Sequence, residues 1–464
     1  MNLVYGVKDK PKFGQLIVFA FQQLLAILAA TIVVPVIVGH DMAQSAALFG
    51  AGIGTIVYQL FTKFRSPVFL GSSFAFLGSM AAAFAGGVSA SLGYAGLIIG
   101  AAFAGLVYVV IAIIVKIAGV NWINKLMPAV VIGPTVSIIG LSLAGNAISD
   151  LYTGKFMADV TAKALSEDGT QIIDVTSSVS TASVYVCVIC GLVTLFTVIL
   201  CSVYGKKTAK LIPFIIGILA GYAVAAVFTV IGIKTNNDAL KVINFSVFSD
   251  MKIFALPQFT FLTGIDGLKE ISGSYIATIA VAYIPVAFVV FAEHIADHKN
   301  LSSIIGSELL EDPGLHRTLL GDGIGSMVGA FFGGCPNTTY GESIGCVAIT
   351  GNASVVTILA TAIMAIVISF FGPFVTFLST IPNCVMGGVC MTLYGFIAVS
   401  GLKMIQKVDL GENRNLFVVA VVLIAGIGGF SLTFGKVTLT SIACALILGI
   451  VTNLIVSKKD KEAQ

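Results

Sequence analysis

Two carboxylates stand where an apolar chain has least reason to place them. Glu293 closes the run YIATIAVAYIPVAFVVFAE, and Glu342 sits inside GGCPNTTYGESIGCVAIT (333–350), between long apolar stretches. In hydrocarbon an ionised carboxylate is costly unless it is solvated, paired or protonated. An acid kept there can carry a proton, or accept hydrogen bonds from the N–H groups of a polar ligand. The plainer reading is a satisfied acid that packs helices. Asp297 follows Glu293 by one helical turn and shares its face, which places it either in the same vestibule or at the cytoplasmic end of that helix.

The elements that must hold these acids are membrane crossings. The chain has 464 residues, 57% hydrophobic and 10% charged, with mean hydropathy +1.04, whereas soluble domains carry about 25% charged residues. Apolar segments of about 20 residues recur along its length, each enough to span about 30 Å of hydrocarbon. Fourteen crossings are expected, near 15–39, 47–62, 68–86, 93–118, 126–144, 182–204, 210–232, 273–295, 318–332, 337–350, 353–378, 381–401, 415–432 and 436–456. The fold class is an all-α polytopic membrane protein, and its 50 glycines suit close helix packing in lipid. The N-terminal MNLVYGVKDKPKF has no cleavable apolar core, so no signal peptide is expected.

Charge orients the bundle. With the N-terminus inside, cytoplasmic segments hold Lys8, Lys10, Lys12, Lys63, Arg65, Lys116, Lys125, Lys206, Lys207, Lys210, Lys299, Arg317, Lys403, Lys407, Arg414, Lys458, Lys459 and Lys461. The short loops opposite hold only Lys436; the other external cations lie in two long loops, about 145–181 and 233–272, which the positive-inside rule largely exempts. Both termini are therefore expected in the cytoplasm.

The halves echo each other. MPAVVIGPTVSIIGLSLA (127–144) aligns with IPNCVMGGVCMTLYGFIA (381–398), so that Pro128 meets Pro382 and Gly133 meets Gly387. GSSFAFLGS (71–79) holds the same rank as TTYGESIGC (338–346). Seven crossings per half make the repeats inverted, a transporter design with its site at the midplane where discontinuous segments meet. SSFAF (72–76) and TTYGE (338–342) favour extended backbone, which at membrane depth must be buried or line a cavity. The two pieces are expected to pair as short strands in segments 3 and 10 and to leave N–H groups free for a ligand.

Other motifs carry less. Cys187-x-x-Cys190 lies in an apolar helix and reads as buried small hydrophobes. His294-Ile-Ala-Asp-His298 resembles a zinc pattern but lacks a third ligand and reads as a helix end. GDGIGSMVG (321–329) reads as a close-packing surface. There is no Walker A sequence and no nucleophile–base constellation, so an enzyme is not expected, nor a cofactor, a metal or a nucleic-acid partner.

FAEHIADHKNLSSIIGSELLEDPGLHRTLLGDG (291–323), NTTYGESIGCVAITGNAS (337–354), GSSFAF (71–76) and QQLLAILAATIVVPVIVG (22–39) together resemble the nucleobase–ascorbate transporter family, in its bacterial uracil-permease branch. The likeness covers essentially the whole chain. It implies two inverted repeats of seven crossings, a core domain, and a gate domain through which homodimers form in the cytoplasmic membrane. The implied domain map has first-repeat core segments 1–4 with gate segment 5 in residues 1–145 and gate segments 6–7 in 146–272. Second-repeat core segments 8–11 then fall in 273–380, and gate segments 12–14 with a cytoplasmic tail in 381–464.

The resemblance also implies proton-coupled import of a nucleobase, uracil first, with xanthine or another purine as the alternative. An anion exchanger or channel of the same 7+7 architecture is a more distant one. By motif match, Glu293 and Glu342 would accept the base's N–H groups. Backbone amides around Phe74 and Gly341 would meet its carbonyl oxygens, and Tyr340 would pack beside the ring. Glu293 or Asp297 would carry the proton. The sequence departs from the branch at Asp297, where His is usual, at Gln23, where His is usual, and at Ser343, where Asn is usual. Two coupled carboxylates can share one proton, so the expectation is that coupling either persists through another relay or is altered.

Overall fold

The computed structural model describes residues 3–119, 122, 128–165, 172–434 and 437–458. Lys125, Lys436, Lys459 and Lys461 of the charge map, Met127 of the repeat, and the segment ends 126–127 and 436 lie outside the described residues.

Helices dominate. In chain order they begin with α1 (Phe13–Val38), α2 (Gln44–Phe61), strand β1 (Leu70–Ser72), α3 (Leu77–Ala83) and α4 (Ala90–Ala118). Next come α5 (Ala129–Ser142), α6 (Ala144–Leu151), the hairpin β2 (Met157–Leu165) and β3 (Ile172–Ser180), α7 (Val184–Tyr204) and α8 (Pro213–Thr235). The second half holds α9 (Gly273–Ile305), α10 (Leu315–Gly333), β4 (Asn337–Thr339), α11 (Gly341–Thr350), α12 (Val355–Ser369) and α13 (Gly372–Thr380). It closes with α14 (Asn383–Ile405), α15 (Asn413–Ile427), a short β5–β6 hairpin (Leu432–Phe434, Val437–Leu439) and α16 (Ser441–Lys458).

Among the described residues, seven helical stretches are long and apolar enough to cross a membrane. They are α1, α4, Ala129–Leu151, α7, α8, α9 and α14, and shorter apolar helices such as α12 and α15 accompany them. This is an integral membrane protein. Several boundaries differ from the sequence reading. The segment expected at 273–295 continues to Ile305, because nothing in HIADHKNLSS breaks a helix before Gly306 (φ 69°). The segment expected at 353–378 is two helices, since α12 ends at Ser369 and α13 starts at Gly372. The loop expected at 145–181 contains α6 and the β2–β3 hairpin, whose Val-, Ile- and Thr-rich strands suit extended backbone.

The chain forms two compact units. The first unit holds Met1–Leu143, Phe254–Phe371 and Leu393–Gln464. At its heart α2 and α10 meet backbone to backbone. A Cβ at Gly54 would lie 2.7 Å from Gly325 O, and one at Gly50 would lie 2.4 Å from Gly329 O. Glycines four apart on both helices make this approach possible, as the close-packing reading of GDGIGSMVG expects. Asn337 fills the space left by Gly329 and donates Nδ2–H to Gly50 O at 3.2 Å, which anchors β4 to that helix pair. The segments 127–144 and 381–398 that resemble each other also touch: Ser137 Oγ donates to Ala398 O at 3.2 Å, beside Gly133 and Gly401.

The second unit holds Ala144–Ile253 and Gly372–Thr392. Here α7 packs on α8 across Gly217 and Gly221, and Gly191 of α7 lets the start of α14 approach at Cys384 O. Cys187, Cys190 and Cys384 are fully buried and free, and Cys384 touches both other thiols.

Candidate functional site

Two strand-to-helix breaks build the site, both in the first unit. β1 and β4 pair antiparallel, with Leu70 opposite Thr339, Gly71 opposite Thr338 and Ser72 opposite Asn337. The two pieces pair as expected, but the strands are shorter than 72–76 and 338–342 and start two residues earlier in the first and one residue earlier in the second. Phe74–Phe76 is a 3₁₀ turn leading into α3, and Gly341 and Glu342 already belong to α11. The backbone explains the shift: Ser73 N–H donates to Pro336 O (2.8 Å) and Tyr340 N–H to Phe69 O (3.2 Å), which closes the ladder and frees the next residues to coil. Neither helix start carries a side-chain cap at Ser73 or Tyr340. First-turn N–H groups at Phe74 and Gly341 thus form uncapped positive ends, the arrangement that binds polar or anionic groups.

Tyr340 is buried against β1. Its hydroxyl donates to Ser72 O at 2.8 Å, and its ring lies where a Gly71 side chain would be, 2.3 Å from an ideal Cβ. Gly341 has no heavy atom within 4 Å of its Cβ position and so faces open space, whereas Phe74 is partly buried against the core. The Phe74 ring meets Tyr394 edge-on at 6.0 Å.

The acids gather around these helix starts. Glu293 and Asp297 stand one turn apart on α9, and Glu342 lies in the first turn of α11. Asp297 accepts a hydrogen bond from Thr339 Oγ1 of β4 at 2.8 Å, so it belongs to the vestibule rather than the helix end. Glu293, Asp297 and Glu342 sit close enough to feel one another's charge. Each lies deep among protein atoms yet keeps some accessible surface. The two observations agree if the carboxylates line a recess rather than a packed core.

The two remaining sequence candidates prove to be partners. Gln23 Nε2 donates to Ser343 Oγ at 2.5 Å, and Ser343 Oγ also accepts from Phe69 N–H at 3.0 Å. One hydroxyl therefore ties α1, the entry to β1 and the first turn of α11 together, all in buried surroundings.

Behind the acids lies a second polar layer that the sequence reading missed. His294 and His298 are interior residues of α9, not a helix end, and both are buried. His294 Nδ1 lies 2.7 Å from Oδ2 of Asp322, a fully buried acid of α10 that belongs with the intramembrane carboxylates. Thr318 gives its hydroxyl proton to Leu315 O (3.1 Å), so its oxygen is left to accept from His294 Nε2–H (3.0 Å). Both ring nitrogens of His294 are thus engaged, one by Asp322 and one by Thr318. His298 gives Nδ1–H to His294 O (2.8 Å), and its Nε2 is 2.7 Å from the Tyr58 hydroxyl, itself 2.7 Å from Ser66 Oγ. The signal for Asp322 was present in the sequence, as one acid within the glycine-rich stretch 318–332. Among the described residues no group of three or more His, Cys, Asp or Glu side chains could hold a metal ion.

Carboxylate acceptors at Glu293, Asp297 and Glu342 thus gather near the uncapped helix start at Gly341, and the same helix α9 carries the hydrogen-bonded His294–Asp322 and His298–Tyr58 pairs. Such a site suits a small polar molecule that both donates and accepts, and it can hold a proton.

A sequence profile described as Permease family matches residues 14–435. The chain is 38% identical over 465 residues to the uracil permease of Bacillus caldolyticus, covering 99% of this chain and 96% of that protein. It is 36% identical over 461 residues to the uracil permease of Bacillus subtilis (strain 168), covering 98% and 96%. Among solved structures, the transmembrane domain of the cyanobacterial bicarbonate transporter BicA superposes with TM-score 0.58 at 16% identity, covering 96% of this chain and 98% of that one.

Proposed function

This chain belongs to the permease family of nucleobase–ascorbate transporters, and from that premise we propose that it imports uracil across the cytoplasmic membrane by proton symport. The observation that carries the reading is the pair of uncapped helix starts at Phe74 and Gly341, of which Gly341 faces open space next to Glu342. A pyrimidine-dione ring presents alternating N–H donors and C=O acceptors. Carboxylates opposed by backbone N–H groups match both kinds of edge atom.

In this reading Glu293 and Glu342 accept the ring N–H groups, amides at Phe74 and Gly341 meet the carbonyls, and Tyr340 walls the ring. Glu293 and Asp297 share the coupled proton, while Gln23 and Ser343 hold the first turn of α11 in place. Fourteen crossings in two inverted repeats, a core moving against a gate, gate-mediated dimers and cytoplasmic termini complete the proposal. A bacterial membrane is the natural setting.

A ligand-induced thermal-shift panel with uracil, thymine, xanthine, hypoxanthine and adenine tests the cargo. Uracil should stabilise the purified protein most, and selective stabilisation by xanthine would move the reading to a purine carrier. The likeness to a bicarbonate transporter's membrane domain favours a second reading, an anion exchanger. Three carboxylates beside the recess argue against an anionic cargo. Bicarbonate- or chloride-driven exchange in vesicles without any uracil uptake would favour the second reading.

A further inference from the structure

The N-terminal segment is built into the fold by its backbone. Val4 and Tyr5 N–H groups donate to Gly351 O (2.8 and 3.2 Å), Ala353 N–H to Tyr5 O (2.9 Å) and Val355 N–H to Val7 O (3.1 Å). Residues 3–9 thus form a strap along the link between α11 and α12, and Leu3 and Val7 pack on a cluster that includes Ile344 and Val347 of α11. The strap also reaches α1, where the Tyr5 hydroxyl donates to Gln15 Oε1 (2.7 Å) and its ring meets Phe19 edge-on at 6.0 Å.

Gln15 and Phe19 are in turn two walls of an open groove of about 490 Å³, completed by Lys12, Gly14 and Val18. The groove is almost wholly apolar apart from the Lys12 amine and Gln15. Gly14 makes it, because no heavy atom lies within 4 Å of its Cβ position. Around it the first turns of α1 expose Phe13 (79%) and Val18 (56%), the surface of a helix entering lipid. Lys12 lines it and closes the stretch Lys8-Asp9-Lys10-Pro11-Lys12, three exposed lysines against one acid, a net charge of +2. Asp9 is occupied locally by Gly6 N–H at 2.7 Å, and none of the ion pairs among the described residues uses the three lysines.

An apolar notch on a lipid-facing helix, topped by unpaired cations at its polar end, complements one kind of molecule. We propose that this groove is a binding site for an anionic phospholipid, with an acyl chain over Gly14 and the phosphodiester against Lys12, Lys8 and Lys10. Basic residues at the membrane surface attract anionic headgroups individually and roughly additively, and the notch supplies the apolar contact that makes the site local. Because Tyr5 links groove to strap, a bound lipid would also brace residues 3–9 on the α11–α12 link. The inference goes beyond the transport reading and does not depend on the cargo.

The test is native mass spectrometry of the purified full chain with equimolar phosphatidylglycerol and phosphatidylcholine. Phosphatidylglycerol should be retained preferentially. Gly14→Leu fills the notch and suits a helix better than glycine, so it should fold while lowering retention. K8Q/K10Q/K12Q should lower it about tenfold or more, and the matching triple Lys→Arg variant should restore it. Hydrogen exchange at the Val4, Tyr5 and Ala353 amides should slow when phosphatidylglycerol is added to wild type and not to Gly14→Leu. Equal retention of the two lipids, or phosphatidylglycerol retention untouched by both Gly14→Leu and the glutamine triple, overturns the proposal.

Discussion

Replacing Asp322 puts the buried layer behind the acids to a quantitative test. Asp322 and His294 are fully buried and 2.7 Å apart, and Asp322 Oδ1 has no hydrogen-bond partner in the structure. Removing one member of a buried, hydrogen-bonded pair typically costs about 3–5 kcal/mol, because the other is stranded without water. Asp322→Leu should therefore destabilise by about that much. Asp322→Asn keeps an acceptor for the imidazole but exchanges a charge-assisted bond for a neutral one, a loss of about 1 kcal/mol. The double variant His294→Leu/Asp322→Leu removes both partners. It should recover most of the loss, leaving a coupling energy of about 3 kcal/mol. Equilibrium unfolding in mixed detergent micelles, followed by circular dichroism, measures the four corners of the cycle: wild type, Asp322→Leu, His294→Leu and the double variant. The reasoning fails if Asp322→Leu loses less than about 1 kcal/mol, or if the double variant loses the sum of the singles.

Other residues make sharper local predictions. Ser343→Ala strands the buried Phe69 N–H and weakens the hold on Gln23, a cost of about 1–3 kcal/mol per orphaned donor; the same unfolding assay should register it, and Gln23→Leu should cost less. Gly71→Ala places a methyl in the Tyr340 ring and should abolish uracil uptake at normal expression, because the Tyr340–Ser72 bond cannot then form. Gly54→Val forces α2 away from Gly325 and Asn337. Overpacking at such a contact costs about 1–3 kcal/mol or more, and fluorescence-detected size exclusion should show loss of the monodisperse peak.

Much of this was legible in the sequence for physical reasons. Hydropathy marks α1, α4, α7, α8 and α9 because lipid-facing helices must be apolar all along. Thr338 and Tyr340 announced a break because extended-favouring residues at membrane depth need a protein partner. The register was not legible: whether coil resumes at Phe74 or later depends on the carbonyls of Pro336 and Phe69, which are distant in sequence from the amides they satisfy. The end of α9 at Ile305 was not legible, because charge and histidine in a sequence ordinarily signal solvent. In the fold His294 and Asp297 are answered by Asp322 and Thr339 from other elements. The Gln23–Ser343 bond joins residues 320 apart, and neither residue alone betrays the other.

The central claim is that Glu293 and Glu342 together hold the cargo. Uptake of labelled uracil into proteoliposomes under an imposed inward proton gradient tests it most directly, comparing wild type with Glu293→Gln and Glu342→Gln at matched reconstitution. The account predicts robust gradient-driven uptake by wild type and about a tenfold fall in each variant, since each exchanges a charged acceptor for a neutral amide oxygen, a loss of about 1–1.5 kcal/mol, and an amide cannot carry the proton. Undiminished uptake by both variants would contradict it.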